Sequence, residues 1–525
     1  MVLGPALSDE LVRSAAVLLG ACVRPILSRV TDTTTGDVRT VTIACGATRE
    51  AICPSCAERA RRLRMQQCRE GWHLDTEPEL DDPDAAESDD GAPTEDDDAA
   101  DVTERRVRST RRREDVPDLP RLPVSGHTVG RTFEAPDGKT YRPSMFLTLT
   151  MPSYGRVTDE GVPADPDRYD YRRAAMDAMH FPKLVDRFWQ NLRRATGYNV
   201  QYFATVEPQR RLAPHLHAAI RGAIPRTLIK QVAAATYHQV WWPDLDHVHH
   251  YRDGRPTWDD EQGGYVDDGG WALPTWDEAM DYVDNGDGLD LGEEPEPVHV
   301  LRFGVQVDLQ GILAGTPAAD RRVGYLTKYL TKSIAEPLDT DDPDRISAAR
   351  RAHIDRLAEE VRWLPCSPTC ANWLRYGTQP KNAKPGMEPG RCPSKAHDRD
   401  HLGLGGRRVL VSRKWTGKTL TEHRADRAAV VRAVLAEAGI EMDDHDQLSA
   451  TATAPDGKPR YIWTPVRPGD PDAPSYVWAV AKSIEQRRRW REQYDAAQQA
   501  TGPPSGDVSA TDPFSPEGTP PCPTT

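Results

Sequence analysis

Residues 214–220 read Pro-His-Leu-His-Ala-Ala-Ile, and residues 201–206, a short polar loop earlier, read Gln-Tyr-Phe-Ala-Thr-Val. Both stretches are short and apolar and flank a polar loop, so they are expected to form a β-hairpin turning between Glu207 and Leu212. Side chains on a strand alternate between faces, so Leu216, Ala218 and Ile220 enter a core while His215 and His217 project together from the other side. Two imidazoles so placed can hold one divalent ion, and Glu207, at the end of the preceding strand, is the candidate third ligand. A carboxylate among the ligands moves the preference toward Mg²⁺ or Mn²⁺. With fifteen histidines in the chain a chance His-x-His is common, and His247-Val-His249 repeats the form. That triplet lies among carboxylates that would repel an anionic substrate and lacks the apolar continuation, so it is expected to be a pair of surface histidines.

Outward from the hairpin, Phe146-Leu-Thr-Leu-Thr150 has the period of a half-buried strand. Leu184, Phe188 and Leu192 recur at helical spacing, with Gly197 as a stop signal. Residues 298–309 read as a strand and residues 323–334 as a helix. This order fits an α+β fold, an antiparallel sheet with helices on one face, better than alternating βαβ units. On the last helix Tyr325 and Tyr329 are four residues apart and share a face, with Lys328 and Lys332 as a second stripe beside them. A phenol is a poor nucleophile at neutral pH and needs cations or a metal to activate it, so tyrosines flanked by lysines suit attack on a phosphodiester.

The formal net charge is −14, but it is unevenly spread. Residues 75–104 hold 15 carboxylates and no Lys or Arg, and residues 244–296 hold 17 against Arg252 and Arg255. Without these two runs the remainder carries +16, as a partner of phosphate backbones should. Residues 105–113 form a basic run that reads as a solvated arm. No stretch approaches the ~20 apolar residues of a membrane span and the start lacks a leader pattern, so a cytoplasmic protein with no membrane partner is expected.

Nine cysteines cluster in a way that argues for Zn²⁺ in a chain without an export signal. Cys366-x3-Cys370 and Cys392-x4-His397 have the spacing of a closed Cys3His structural site. The loop between them carries Trp373, Arg375, Tyr376, Lys381 and Lys384, which read equally as nucleic-acid contacts or, for the aromatics, as cover for a small zinc core. Near the N-terminus Cys53-Pro-Ser-Cys56 is a tight knuckle that Cys45 can join, with Cys22 or Cys68 as the fourth ligand.

Taken in order, Phe146-Leu-Thr-Leu-Thr150, His215-Leu-His217 and Tyr325-Leu-Thr-Lys-Tyr329 resemble the three motifs of the HUH endonuclease superfamily. More closely, the chain resembles replication initiators of actinobacterial plasmids and integrative conjugative elements, with support from Leu301-Arg-Phe-Gly-Val-Gln-Val-Asp308 and from residues 402–415. The resemblance implies a rolling-circle initiator: a site-specific nickase that leaves a 5′-phosphotyrosine and a 3′-OH primer. It makes His215 and His217 metal ligands, Tyr329 the first nucleophile and Tyr325 the second. It favours Cys22 over Cys68, because Ala21-Cys-Val-Arg-Pro25 is part of the similar text.

The partner is then origin DNA, single-stranded at the nick, with host helicase and DNA polymerase as further candidates. Lys332, Arg375, Lys381, Lys384, Arg413 and Lys414 are the candidate DNA contacts. The expected organisation is a zinc-binding region (residues 1–73), an acidic then basic disordered linker (74–143) and an HUH nickase core (144–335) with a disordered acidic insertion at about 244–296. A second zinc-binding, DNA-contact region (336–424), a helical region (425–500) and a disordered tail (501–525) follow. Two alternatives remain: a relaxase or transposase with the same chemistry, although the common relaxases place tyrosine before the histidines, and a non-catalytic zinc-containing regulator, which leaves the His and Tyr constellation without a purpose.

Overall fold

The computed structural model describes residues 8–72, 74, 76–78, 113–129, 133–134, 140–141, 143–246, 248, 255–285, 295–313, 316–328, 330–332, 347–437, 452–467, 469–470 and 472–501. The first acidic run and the basic arm fall almost entirely outside these residues, as do His247, His249, Tyr329 and the tail beyond Thr501. The chain divides into two compact units, one made of residues 1–46, 52–56 and 421–525, the other of residues 47–51 and 57–420. Among the described residues no helix is long and apolar enough to cross a membrane.

In the first unit a three-stranded antiparallel sheet has strand Ile26–Asp32 at its centre, between Val38–Ile43 and the distant Tyr461–Pro465. Helix Asp9–Leu18, capped by the Ser8 hydroxyl, packs against helix Tyr476–Thr501.

The second unit is built on a five-stranded antiparallel sheet ordered Val307–Leu313, Pro143–Thr150, Pro214–Arg221, Tyr202–Pro208 and Val409–Val411. The hairpin forms as expected, with Glu207 opposite His215 and Thr205 opposite His217. On the other side of the histidine strand, Thr148 lies opposite His217 and Thr150 opposite His215. Met145, Leu147, Leu149, Leu216, Ala218 and Ile220 are buried on one face, against helices Tyr171–Thr196, Arg226–Ala235 and Ala348–Trp363. Helix Tyr171–Thr196 opens with the Asp170 carboxylate on the Arg173 N–H and closes at Gly197, whose φ of 73° is the left-handed cap that glycine adopts without strain.

The expectation of helices on a single face is corrected. Phe146, Phe203 and Ala219 face the other way, under Ala319, Val323 and Leu326 of helix Pro317–Thr327, with Trp72 and Trp415 in the same cluster. These apolar residues form the row next to His217 on that face and need cover of their own. The helix thereby lies over the face that carries His215 and His217.

Three further expectations change. The strand foreseen at 298–309 is two strands, His299–Arg302 and Val307–Leu313, in different sheets. Between them the Gly304 N–H donates to the Thr150 carbonyl at 2.7 Å, and a Cβ there would come within 2.9 Å of the Met151 carbonyl oxygen. The tyrosine helix runs from Pro317 to Thr327 instead of from 323 to 334. Thr316 caps its start, Pro317 occupies the first turn, and at its end the Lys328 N–H closes onto the Tyr325 carbonyl three residues back. Tyr325 sits in its last turn, and the expectation that Tyr329 shares its face lies outside the described residues.

The acidic insertion, expected to be disordered, is ordered over residues 255–285. It forms strands Thr257–Asp259 and Gly264–Val266 and helix Trp276–Asn285, because Tyr265, Leu273, Trp276 and Met280 supply buried apolar anchors among the carboxylates. The Gln379 side chain ties it down, accepting from the Tyr265 N–H and donating to the Leu273 carbonyl.

Candidate active site

Antiparallel register gathers the site. Ligand atoms of Glu207, His215 and His217 all lie within 4.8 Å of one another, and all three residues are buried. The two Nε2 atoms face each other at 2.6 Å, while Glu207 Oε1 has no hydrogen-bond partner. Buried polar atoms are normally satisfied, and one hydrogen bond between the rings leaves this set short. A divalent cation between the three would satisfy it, and two imidazoles with a carboxylate form a suitable donor set. Behind His217, Nδ1 lies 2.9 Å from the Thr148 hydroxyl, and when that hydroxyl accepts, the proton sits on Nδ1 and the Nε2 lone pair is turned toward the site.

Electrostatics agree with neutral imidazoles. Burial, then His217 and Arg211, hold His215 well below the ordinary histidine range. Burial and then Arg322 bring His217 down to about 4. Burial pushes the Glu207 carboxyl up to about 7, against the pull of Arg408 and Lys328. Arg211, Arg322, Lys328 and Arg408 thus act on a centre with one carboxylate, as suits an anionic substrate.

Tyr325 is the described tyrosine that meets this centre. Its hydroxyl is 3.3 Å from His217 Nε2, and its ring stands edge-on to His217 with centroids 4.9 Å apart. Leu326 is fully buried and anchors the helix, whereas Tyr325 is 38% exposed, open enough for a substrate to reach. Lys328 is exposed in the turn that follows, and the Lys332 carbonyl accepts from the Arg408 guanidinium.

Both cysteine groups are assembled. Cys22, Cys45, Cys53 and Cys56 come together in the first unit, and Cys366, Cys370, Cys392 and His397 in the second. Tetrahedral zinc with bonds of ~2.3 Å to sulfur and ~2.0–2.1 Å to nitrogen places sulfurs about 3.8 Å apart and a sulfur and nitrogen about 3.5 Å apart. The Cys22–Cys53 and Cys366–Cys392 sulfurs are each separated by 3.8 Å, and Cys370 Sγ and His397 Nε2 by 3.5 Å. His397 Nδ1 is 2.7 Å from the Val361 carbonyl, an orienting bond of the kind metal-ligating histidines make. Cys68, the other candidate, is buried with Trp72 and Trp415 and belongs to neither group.

The expected DNA contacts fall in three places. Lys332 lies in the turns beyond the tyrosine helix, and Arg413 and Lys414 follow strand Val409–Val411 at the sheet edge. Arg375, Lys381 and Lys384 lie on the zinc loop, with the Arg375 guanidinium over the Trp363 ring at 4.7 Å. Trp373 is fully buried beside Trp242 and Trp276, so of its two readings it takes the core one.

Sequence reasoning missed Thr148, Arg211, Arg322 and Arg408. Thr148 was visible only as a strand former, and Arg322, three residues before Tyr325, could have been found from helical spacing.

No curated protein and no solved structure matches the chain. A family model described as "RepSA: Replication initiator protein, pSAM2" matches residues 9–486, most of the 525. That span takes in the histidine strand, Glu207, the tyrosine helix and both cysteine groups. The chain therefore belongs to the RepSA family of replication initiator proteins.

Proposed function

We propose that this initiator opens its origin by rolling-circle chemistry, nicking one strand through metal-dependent transesterification on an HUH-type core, with Tyr325 as the attacking residue. The observation that carries the reading is the Tyr325 hydroxyl 3.3 Å from His217 Nε2, beside the Glu207–His215–His217 group. The Tyr325 oxygen forms a bond to phosphorus and the P–O3′ bond breaks. The proton lost by the phenol balances the one gained by the 3′ oxygen, so a 5′-phosphotyrosine and a 3′-OH primer result. Mg²⁺ or Mn²⁺ held by Glu207, His215 and His217 would offset charge developing on the nonbridging oxygens. His215 and His217, kept neutral by burial, remain able to ligate at physiological pH. Lys328 adds positive charge that acts on Glu207.

Tyr329 then takes the second transfer that closes the circle, a reversal of the order expected from the sequence. Structural Zn²⁺ in the two cysteine groups stiffens surfaces that hold origin DNA, with Lys332, Arg375, Lys381, Lys384, Arg413 and Lys414 on the phosphate backbone. Host helicase and DNA polymerase would act on the nicked product.

A supercoiled plasmid carrying the element's origin, incubated with protein and Mn²⁺, tests the reading. The parent should nick it, the His215→Ala, His217→Ala double variant should bind but not nick, and substituting His247 and His249 should change little. Full nicking by the double variant would refute the metal assignment.

A further inference from the structure

We propose that Arg322 is a further catalytic residue, whose guanidinium grips a nonbridging oxygen of the scissile phosphate; this rests on the reading that the site cleaves a phosphodiester. Arg322 and Tyr325 are three residues apart on helix Pro317–Thr327 and so share a face. The Arg322 guanidinium carbon lies 4.9 Å from the centroid of Phe146. One nitrogen donates to the Gln310 side-chain oxygen. Phe146 in turn stacks on His217 at 5.8 Å with planes 24° apart and meets Tyr325 edge-on at 6.1 Å. One buried ring therefore carries the metal-facing imidazole, the phenol and the guanidinium together.

The guanidinium is held before any substrate arrives, by an aromatic face and an amide oxygen. Neither partner is an anion, so its charge is not neutralised by the groups that fix it. Gln310 takes one of the five N–H donors of an arginine. Arg322 lies over the same Phe146 ring that stacks on His217. A divalent ion at the triad would add positive charge beside it, and Glu207 is the one carboxylate in the triad. Two cations so placed repel unless an anion lies between them, and a bridging phosphodiester is the anion this chemistry supplies. Arginine suits that place better than lysine because its planar fork matches two phosphate oxygens and keeps its proton. Charge builds on those oxygens as phosphorus becomes five-coordinate, so the grip strengthens in the transition state.

Two measurements on the full chain test this. Single-turnover nicking of an origin oligonucleotide with Mn²⁺ should fall by about 10²–10³-fold in Arg322→Gln, the loss typical of removing a fixed transition-state donor. Arg322→Lys should recover part of it. Unchanged Mn²⁺ binding, followed by the free-ion EPR signal, and an unchanged melting temperature would show the site still formed. In a Tyr325→Phe background, which cannot cleave, binding is compared for oligonucleotides with an ordinary or a methylphosphonate linkage at the nick. Removing that charge should weaken binding, and Arg322→Gln should shrink the penalty about tenfold, the worth of one hydrogen bond to a charged group. An unchanged nicking rate in Arg322→Gln, or an identical methylphosphonate penalty with and without Arg322, overturns the proposal. If the parent forms no nick, the nickase reading fails first and this inference falls with it.

Discussion

Replacing Thr148 with valine should loosen the metal without touching a ligand. Valine keeps the β-branched shape that suits strand Pro143–Thr150, so the sheet should persist. What disappears is the 2.9 Å bond between the Thr148 hydroxyl and His217 Nδ1. His217 is buried, so a nitrogen left without a partner costs about 1–3 kcal/mol of folding stability. The ring also loses the bond that orients it with Nε2 toward Glu207 and His215. Loss of such an orienting partner weakens metal binding by roughly 10–100-fold, about 1.4–2.7 kcal/mol at room temperature. Mn²⁺ titration followed by loss of the free-ion EPR signal measures this directly, and Thr148→Ser should restore most of the affinity. If Thr148→Val binds Mn²⁺ within twofold of the parent, the Thr148 bond does not set the orientation of His217 for a metal.

Metal analysis of protein prepared without chelators should find two zinc equivalents, and Cys370→Ser should lose one of them and lower the melting temperature; finding no zinc would remove both structural sites. Acidification should destabilise the metal-free protein through His180, which burial, then His299 and Lys183, bring down to about 3. Between pH 6.5 and about 3 the unfolded chain binds the proton that folded His180 refuses, so this contribution is lost as pH falls through that window. His180→Phe should flatten the melting temperature against pH there, and an unchanged slope would contradict the assignment. Gly71→Ala should destabilise by about 1–3 kcal/mol in urea unfolding despite the better helix propensity of alanine, because its methyl would overlap the buried Trp415 ring.

What was legible from the sequence was local. The hairpin, the shared face of His215 and His217, and the cysteine pairs Cys53/Cys56 and Cys366/Cys370 all follow from spacing within a few residues. Glu207 could be named because a short loop brings it opposite His215. Contacts that depend on pairing distant strands were not legible. Thr148 reaches His217 only through the register of two strands far apart in the chain, and Tyr461–Pro465 joins Ile26–Asp32 across more than 400 residues. Nor could periodicity say that the sheet would be covered on both faces, since Phe146, Phe203 and Ala219 each sit among residues that also read as core. The order in residues 255–285 escaped because a few buried apolar side chains were outweighed by the many carboxylates around them.

The central claim, that Tyr325 becomes joined to DNA, can be read from one peptide. Lys328 separates the two tyrosines, so trypsin places Tyr325 in residues 323–328 and Tyr329 in residues 329–332. After incubation with an origin oligonucleotide and Mn²⁺, nuclease trimming and trypsin digestion, mass spectrometry should find the nucleotide-phosphate adduct on residues 323–328, and Tyr325→Phe should abolish it. An adduct confined to residues 329–332, or none from a parent protein that nicks, would contradict the account.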